Sequence, residues 1–129
     1  MSRAQELKKI RELLQRRRNE LTESFNAAQN ELAALKAQER DPEFEEGAQS
    51  ELADFTLTKL MENHRTEIQA VDAAINRMDA GTFGTCVDCG GEIEVKRLKA
   101  LPFAVRCEDD AAEYEEAHRG GAAHAHPSL

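Results

Sequence analysis

The chain has 129 residues, a net charge of −8, 33% charged residues, only 5% aromatics and no tryptophan. So little large apolar material cannot fill a thick globular core; it suits one domain, or one domain plus an appendage, built on elongated helices with narrow apolar stripes. The acidic balance argues against phosphate-driven binding to nucleic acid, which needs a basic face to release counterions.

From Ala4 to about Gln38 there is neither glycine nor proline, and Leu7, Ile10, Leu14, Leu21, Phe25, Ala28, Leu32 and Leu35 recur mostly at steps of three and four. That period predicts a helix of about 35 residues, roughly 50 Å long, which suggests a coiled-coil arm. Its basic cluster, Lys8, Lys9, Arg11, Arg16, Arg17 and Arg18, is interleaved with Glu6, Glu12 and Glu20. This reads as a solvated helix face or part of a protein-docking surface rather than a DNA contact. Arg40-Asp41-Pro42 then breaks the helix, because proline disfavours helix at the residue before it and lacks a backbone donor. The stretch 39–47 is short and acidic with one large apolar residue, Phe44, and reads as a connecting tip.

A second periodic run goes from near Ala48 to near Ala80, with the expected stripe Leu52, Phe55, Leu60, Ile68, Val71, Ile75 and Met78 and with His64 at the seam or its edge. Gly81 is a natural helix stop. Neither stripe can be buried alone, so the two helices are expected to lie antiparallel. The fold class that follows is mainly α: a long antiparallel helical hairpin over residues 1–80, a small zinc-ribbon-like module with a short acidic helix (Glu108 to His118) over 81–118, and a disordered tail over 119–129. His124 and His126 in that tail are expected to carry no function. No segment is apolar enough to span a membrane. The first residues lack the apolar stretch of a secretory signal, and three cysteines are too few for a disulfide framework, so a reducing cytoplasm is expected.

Cys86-Val-Asp-Cys89-Gly-Gly has the form of a zinc knuckle, in which two thiolates share one ion and the glycines let backbone amides turn toward the sulfurs. Its partner is Cys107-Glu-Asp-Asp110, with seventeen residues between Cys89 and Cys107 and with aspartate where a fourth cysteine would complete the pair. Three readings are open. Asp110 supplies a carboxylate oxygen to a site of three thiolates; or the three cysteines bind zinc with His118 or water; or no metal binds, and Phe83, Ile93, Val95, Leu98, Leu101, Phe103 and Val105 pack around buried cysteines. In each the role is structural and the protein is not an enzyme, since there is neither a His-rich open site nor an evident general base.

The string Gly81-Thr-Phe-Gly-Thr-Cys-Val-Asp-Cys-Gly, then Glu92-Ile-Glu-Val-Lys-Arg-Leu-Lys-Ala-Leu-Pro102 and Cys107, resembles the DksA/TraR zinc-finger signature, and the preceding hairpin with an acidic tip is similar to that family's architecture. The resemblance spans roughly residues 5–118. It implies a cytoplasmic, monomeric transcription regulator that binds bacterial RNA polymerase, inserts its hairpin into the secondary channel and brings tip carboxylates near the catalytic centre, without sequence-specific DNA contact. Counted from the knuckle, the family's tip aspartates fall on Glu43 and Glu46, with Asp41 and Glu45 as rival choices. The positions that hold the alarmone ppGpp in some members carry Ala70, Leu101 and Ala111 here, and only Arg97 remains, so coupling to ppGpp is expected to be weak or absent. The alternatives are a coiled-coil and zinc-ribbon adaptor for another protein, or a secondary-channel protein of the transcript-cleavage type.

Overall fold

The computed structural model describes residues 2–44 and 47–119. The protein is mainly α-helical, with α1 (Arg3–Glu39), α2 (Ala48–Asp79), α3 (Val95–Ala100) and α4 (Glu108–His118) among the described residues. The two long helices begin and end within one or two residues of the expected limits, and α4 coincides with the acidic segment. The six-residue α3 is an addition that the sequence pattern did not announce. Paired strands are absent from the described part of the ribbon-like module, whose sheet content is the single antiparallel bridge Thr85–Glu92.

The chain forms two compact units. In the unit of residues 16–69, α1 and α2 run side by side. Leu21 and Ala28 are buried there among the described residues, and its flanks carry ion pairs between Arg17 and Glu67 at 2.6 Å and between Lys36 and Asp54. The Arg65 guanidinium lies over the Phe25 ring at 5.4 Å. These pairs are exposed and contribute little each.

The stripe expected on α2 needs correcting at its start. Leu52, Phe55 and Leu60 are 64%, 65% and 41% exposed. The half-buried residues there include Leu57, Met61, His64 and Ile68, which continue into buried Val71. Steps of four and three from 57 to 71 hold one face of the helix toward its partner, whereas the steps of five and eight around Leu60 drift off that face. His64 therefore sits at the seam edge, as its spacing suggested. Val71→Ala should cost about 2 kcal/mol by leaving a cavity, and Leu52→Ala under roughly 0.5 kcal/mol; denaturant midpoints of the two variants check the difference.

In the other unit, residues 2–15 and 70–119 pack together. Its core is Ile10, Leu14, Ala70, Val71, Ala74, Phe83, Cys86, Ile93, Leu98 and Ala104. Leu101, expected inside, is half exposed at 50%. The end of α2 is a Schellman arrangement: Thr82 N donates to Arg77 O at 2.9 Å and Gly81 N to Met78 O at 3.1 Å. Gly81 takes φ +77, the left-handed conformation this turn requires. The chain is thereby delivered from α2 directly into the cysteine module.

Candidate metal centre

The module is organised by its backbone. Cys86 N donates to Gly91 O at 2.8 Å, Gly90 N to Cys86 O at 3.0 Å and Ile93 N to Gly84 O at 2.7 Å, which folds residues 84–93 into a tight knuckle. Gly90 has φ +72, and the Gly91 amide turns toward Cys89 Sγ at 3.4 Å. Val87 N donates to Val105 O at 2.9 Å and joins this knuckle to the second ligand segment. Cys107 then occupies the N-cap of α4. Asp110, three residues on, points the same way because residues three apart share a helix face.

The result is a single cluster. One ligand atom each from Cys86, Cys89, Cys107 and Asp110 lies within 4.8 Å of all the others. Asp110 Oδ2 accepts from Cys86 Sγ at 3.1 Å and from Cys107 Sγ at 3.2 Å. A zinc tetrahedron with bonds of about 2.3 Å to sulfur and about 2.0 Å to oxygen has edges of roughly 3.5–3.8 Å, so small shifts close this group on one ion. Cys86 is buried, Cys89 exposed, and Cys107 and Asp110 lie between.

The electrostatics fit a cation. Hydrogen bonds from the Cys86, Cys89 and Cys107 thiols hold the Asp110 carboxyl below the usual carboxylate range. The Gly91 amide favours the Cys89 thiolate, but Asp110 and the two neighbouring thiols outweigh it and push the Cys89 thiol up to about 12. Charge crowded in this way is relieved by a divalent ion, which deprotonates coordinating thiols outright. Three cysteines and one carboxylate can thus hold one zinc ion.

His118 is not part of the cluster. Its Nδ1 lies 2.8 Å from Tyr114 O and its ring stacks on Tyr114, with centroids 4.0 Å apart. The alternative of a histidine fourth ligand is corrected accordingly. Two cations escaped the sequence reading. Arg106 sets its guanidinium 3.8 Å above the Tyr114 ring and pairs with Asp88 at 2.8 Å. Arg3, in the first turn of α1, donates to Ile93 O at 2.7 Å and to Gly84 O at 2.9 Å. Arg3 had no sequence signal, since its contacts join segments far apart in the chain and aim at backbone carbonyls.

At the tip, Asp41 Oδ1 accepts the Glu43 amide at 2.9 Å and Phe44 N donates to Asp41 O at 3.0 Å. Asp41 thus closes its own turn, while the Glu43 side chain is exposed. Glu45, Glu46, His124 and His126 lie outside the described residues.

Residues 81–116 match the prokaryotic DksA/TraR C4-type zinc finger family. The chain is 30% identical over 119 residues to the RNA polymerase-binding transcription factor DksA of Escherichia coli K12, covering 90% of this chain and 77% of that protein. It is 26% identical over 110 residues to an uncharacterised protein of Aquifex aeolicus, covering 84% and 76%. The solved structure of transcription factor DksA2 from Pseudomonas aeruginosa superimposes with a TM-score of 0.75 at 28% identity, covering 92% of this chain and 88% of that one. Likeness that runs through hairpin and finger alike makes this protein a member of the DksA/TraR family.

Proposed function

We propose that the protein is a cytoplasmic, monomeric, non-enzymatic regulator that binds bacterial RNA polymerase through the secondary channel and modulates initiation with its acidic tip. The observation that carries the reading is the finger of Cys86, Cys89, Cys107 and Asp110 on a helical hairpin, joined to 30% identity with a polymerase-binding factor across most of both chains. In this reading residues 1–80 form the hairpin, 81–118 the finger with its helix, and 119–129 a tail. Glu43 and Glu46, with Asp41 and Glu45 as neighbours, face the polymerase active site. Direct DNA binding is absent: the net charge is −8, and Arg11 and Arg17 of the basic cluster are paired with Asp79 and Glu67.

Coupling to ppGpp is weak or absent. Ala70 is buried, Leu101 is exposed and apolar, and the Arg97 guanidinium donates to Arg106 O at 3.0 Å. Lys99 and Arg106 are engaged by Glu6 and Asp88. A polyphosphate needs several uncommitted cations. Co-purification of the full chain with core polymerase tests the reading, and competition by a cleavage factor for the same channel tests its finer part. Failure to bind core enzyme would overturn it, and accelerated transcript cleavage on stalled complexes would replace it.

Cys86, Cys89, Cys107 and Asp110 are the proposed ligands of one structural zinc, which cross-links the knuckle to the start of α4. Asp110→Ala should lower zinc occupancy from one per chain and weaken affinity about tenfold or more, and Asp110→Cys should restore it, as read by metal analysis and chelator competition. Unchanged occupancy in Asp110→Ala would remove the carboxylate from the ligand set.

A further inference from the structure

We propose that Arg3 is a positioning residue for the metal centre, holding the Cys86–Cys89 knuckle closed by stapling its two open ends. The proposal extends the zinc reading above and rests on it for the metal-release arm of its test.

The knuckle is a short ladder. The sulfurs and the Cys86–Gly91 hydrogen bond stand at one end, and the Ile93–Gly84 hydrogen bond at the other. Spreading the loop from its base separates residues 84 and 93. Arg3 spans that gap: Nη1 takes the Ile93 carbonyl at 2.7 Å and Nη2 the Gly84 carbonyl at 2.9 Å. Two carbonyls on opposite arms of one loop, held by one planar cation, form a clamp that only a forked donor provides. Nε adds a pair with Glu92 at 3.5 Å, on the same arm as Ile93.

Position 84 is built to admit this side chain. A Cβ there would stand 2.8 Å from Arg3 Nη2 and 3.3 Å from Leu98 Cδ1, and the residue has φ +82. The conformation calls for glycine, and any Cβ there would push the guanidinium off its place. The same first turns of α1 also reach α3 through the 2.8 Å Glu6–Lys99 pair, which does not touch the knuckle. That separates two roles: Glu6 ties helix to helix, whereas Arg3 acts on the loop that carries two of the four sulfur and oxygen donors.

The test uses the full chain loaded with zinc, an excess of a chromogenic chelator, and amide exchange at Cys86 and Ile93. Arg3→Ala should release zinc about tenfold faster, from loss of two charge-assisted hydrogen bonds. Arg3→Lys, which keeps the charge but not the fork, should fall between. Glu6→Ala should release zinc at the wild-type rate. The cobalt-substituted Arg3→Ala protein should keep its thiolate charge-transfer bands, since the ligand set is unchanged. Wild-type release from Arg3→Ala, or equal acceleration by Arg3→Ala and Glu6→Ala, would overturn the staple. A wild-type chain that held no zinc would sink the ligand reading instead; loss of Cys86 and Ile93 protection in Arg3→Ala would still support the staple, and retained protection would refute it.

Discussion

Cys86→Ser is expected to abolish stoichiometric zinc binding and to melt the finger while leaving the helices of residues 16–69 folded. Cys86 is the most buried of the four proposed ligands, 2% exposed, and its amide and carbonyl both hold the knuckle together through Gly91 and Gly90. Serine is a harder donor that keeps its proton at neutral pH, so it replaces neither the charge nor the bond. In small metal domains the binding free energy of a structural zinc, roughly 10–16 kcal/mol in finger peptides, is the folding free energy. The apolar interior of the module, chiefly Phe83, Ile93 and Leu98, is small beside that. Amide exchange should show lost protection at Cys86, Ile93 and Leu98 and native protection at Leu21 and Ala28. Chelation of the wild-type protein should produce the same map. A protected, metal-free finger would instead favour packing around neutral thiols and retire the zinc reading.

The helices were legible in the sequence because their punctuation is local. Pro42 and Gly81 act on the backbone within a residue or two of where they stand, and α4 starts where Cys107 hands over to three acidic residues, Glu108, Asp109 and Asp110, that suit a helix N-terminus. The phase of α2 was less legible. Large residues drew attention to Leu52, Phe55 and Leu60, yet stepping back from Val71 by threes and fours reaches Ile68, His64, Met61 and Leu57. The seam tolerates methionine and histidine, so hydrophobicity misled where the heptad would not have. The ligand cluster was readable because two Cys-x-x-[Cys/Asp] units declare their own spacing. Arg3 was not readable, since its partners are carbonyls some 81 and 90 residues away, and a carbonyl has no letter in a sequence. Leu101 misled for a similar reason: an apolar residue after a short helix can face outward, and only the fold says which side that is.

Glu43→Ala combined with Glu46→Ala should remove at least about tenfold of the effect on transcription while changing affinity for core polymerase by no more than about threefold. The two readouts differ because charge acts differently in each. Binding draws on surface spread along helices and finger, and two carboxylates of the connecting segment contribute little to it. Near a magnesium-dependent centre the same carboxylates matter more: two unit charges about 4 Å apart interact by roughly 4 kcal/mol at an effective dielectric near 20, and a divalent ion doubles that. A tenfold effect needs only about 1.4 kcal/mol of this. Glu43→Gln with Glu46→Gln separates charge from bulk and should behave like the alanine pair. Asp41 differs, because its carboxylate closes the turn by accepting the Glu43 amide. Asp41→Asn keeps that acceptor and should remain active, whereas Asp41→Ala should lose part of the effect by loosening the turn. Initiation assays and binding measured side by side decide the matter. If the double variant regulates normally, or loses binding in proportion to activity, the tip does not act on the catalytic centre and the secondary-channel reading falls with it.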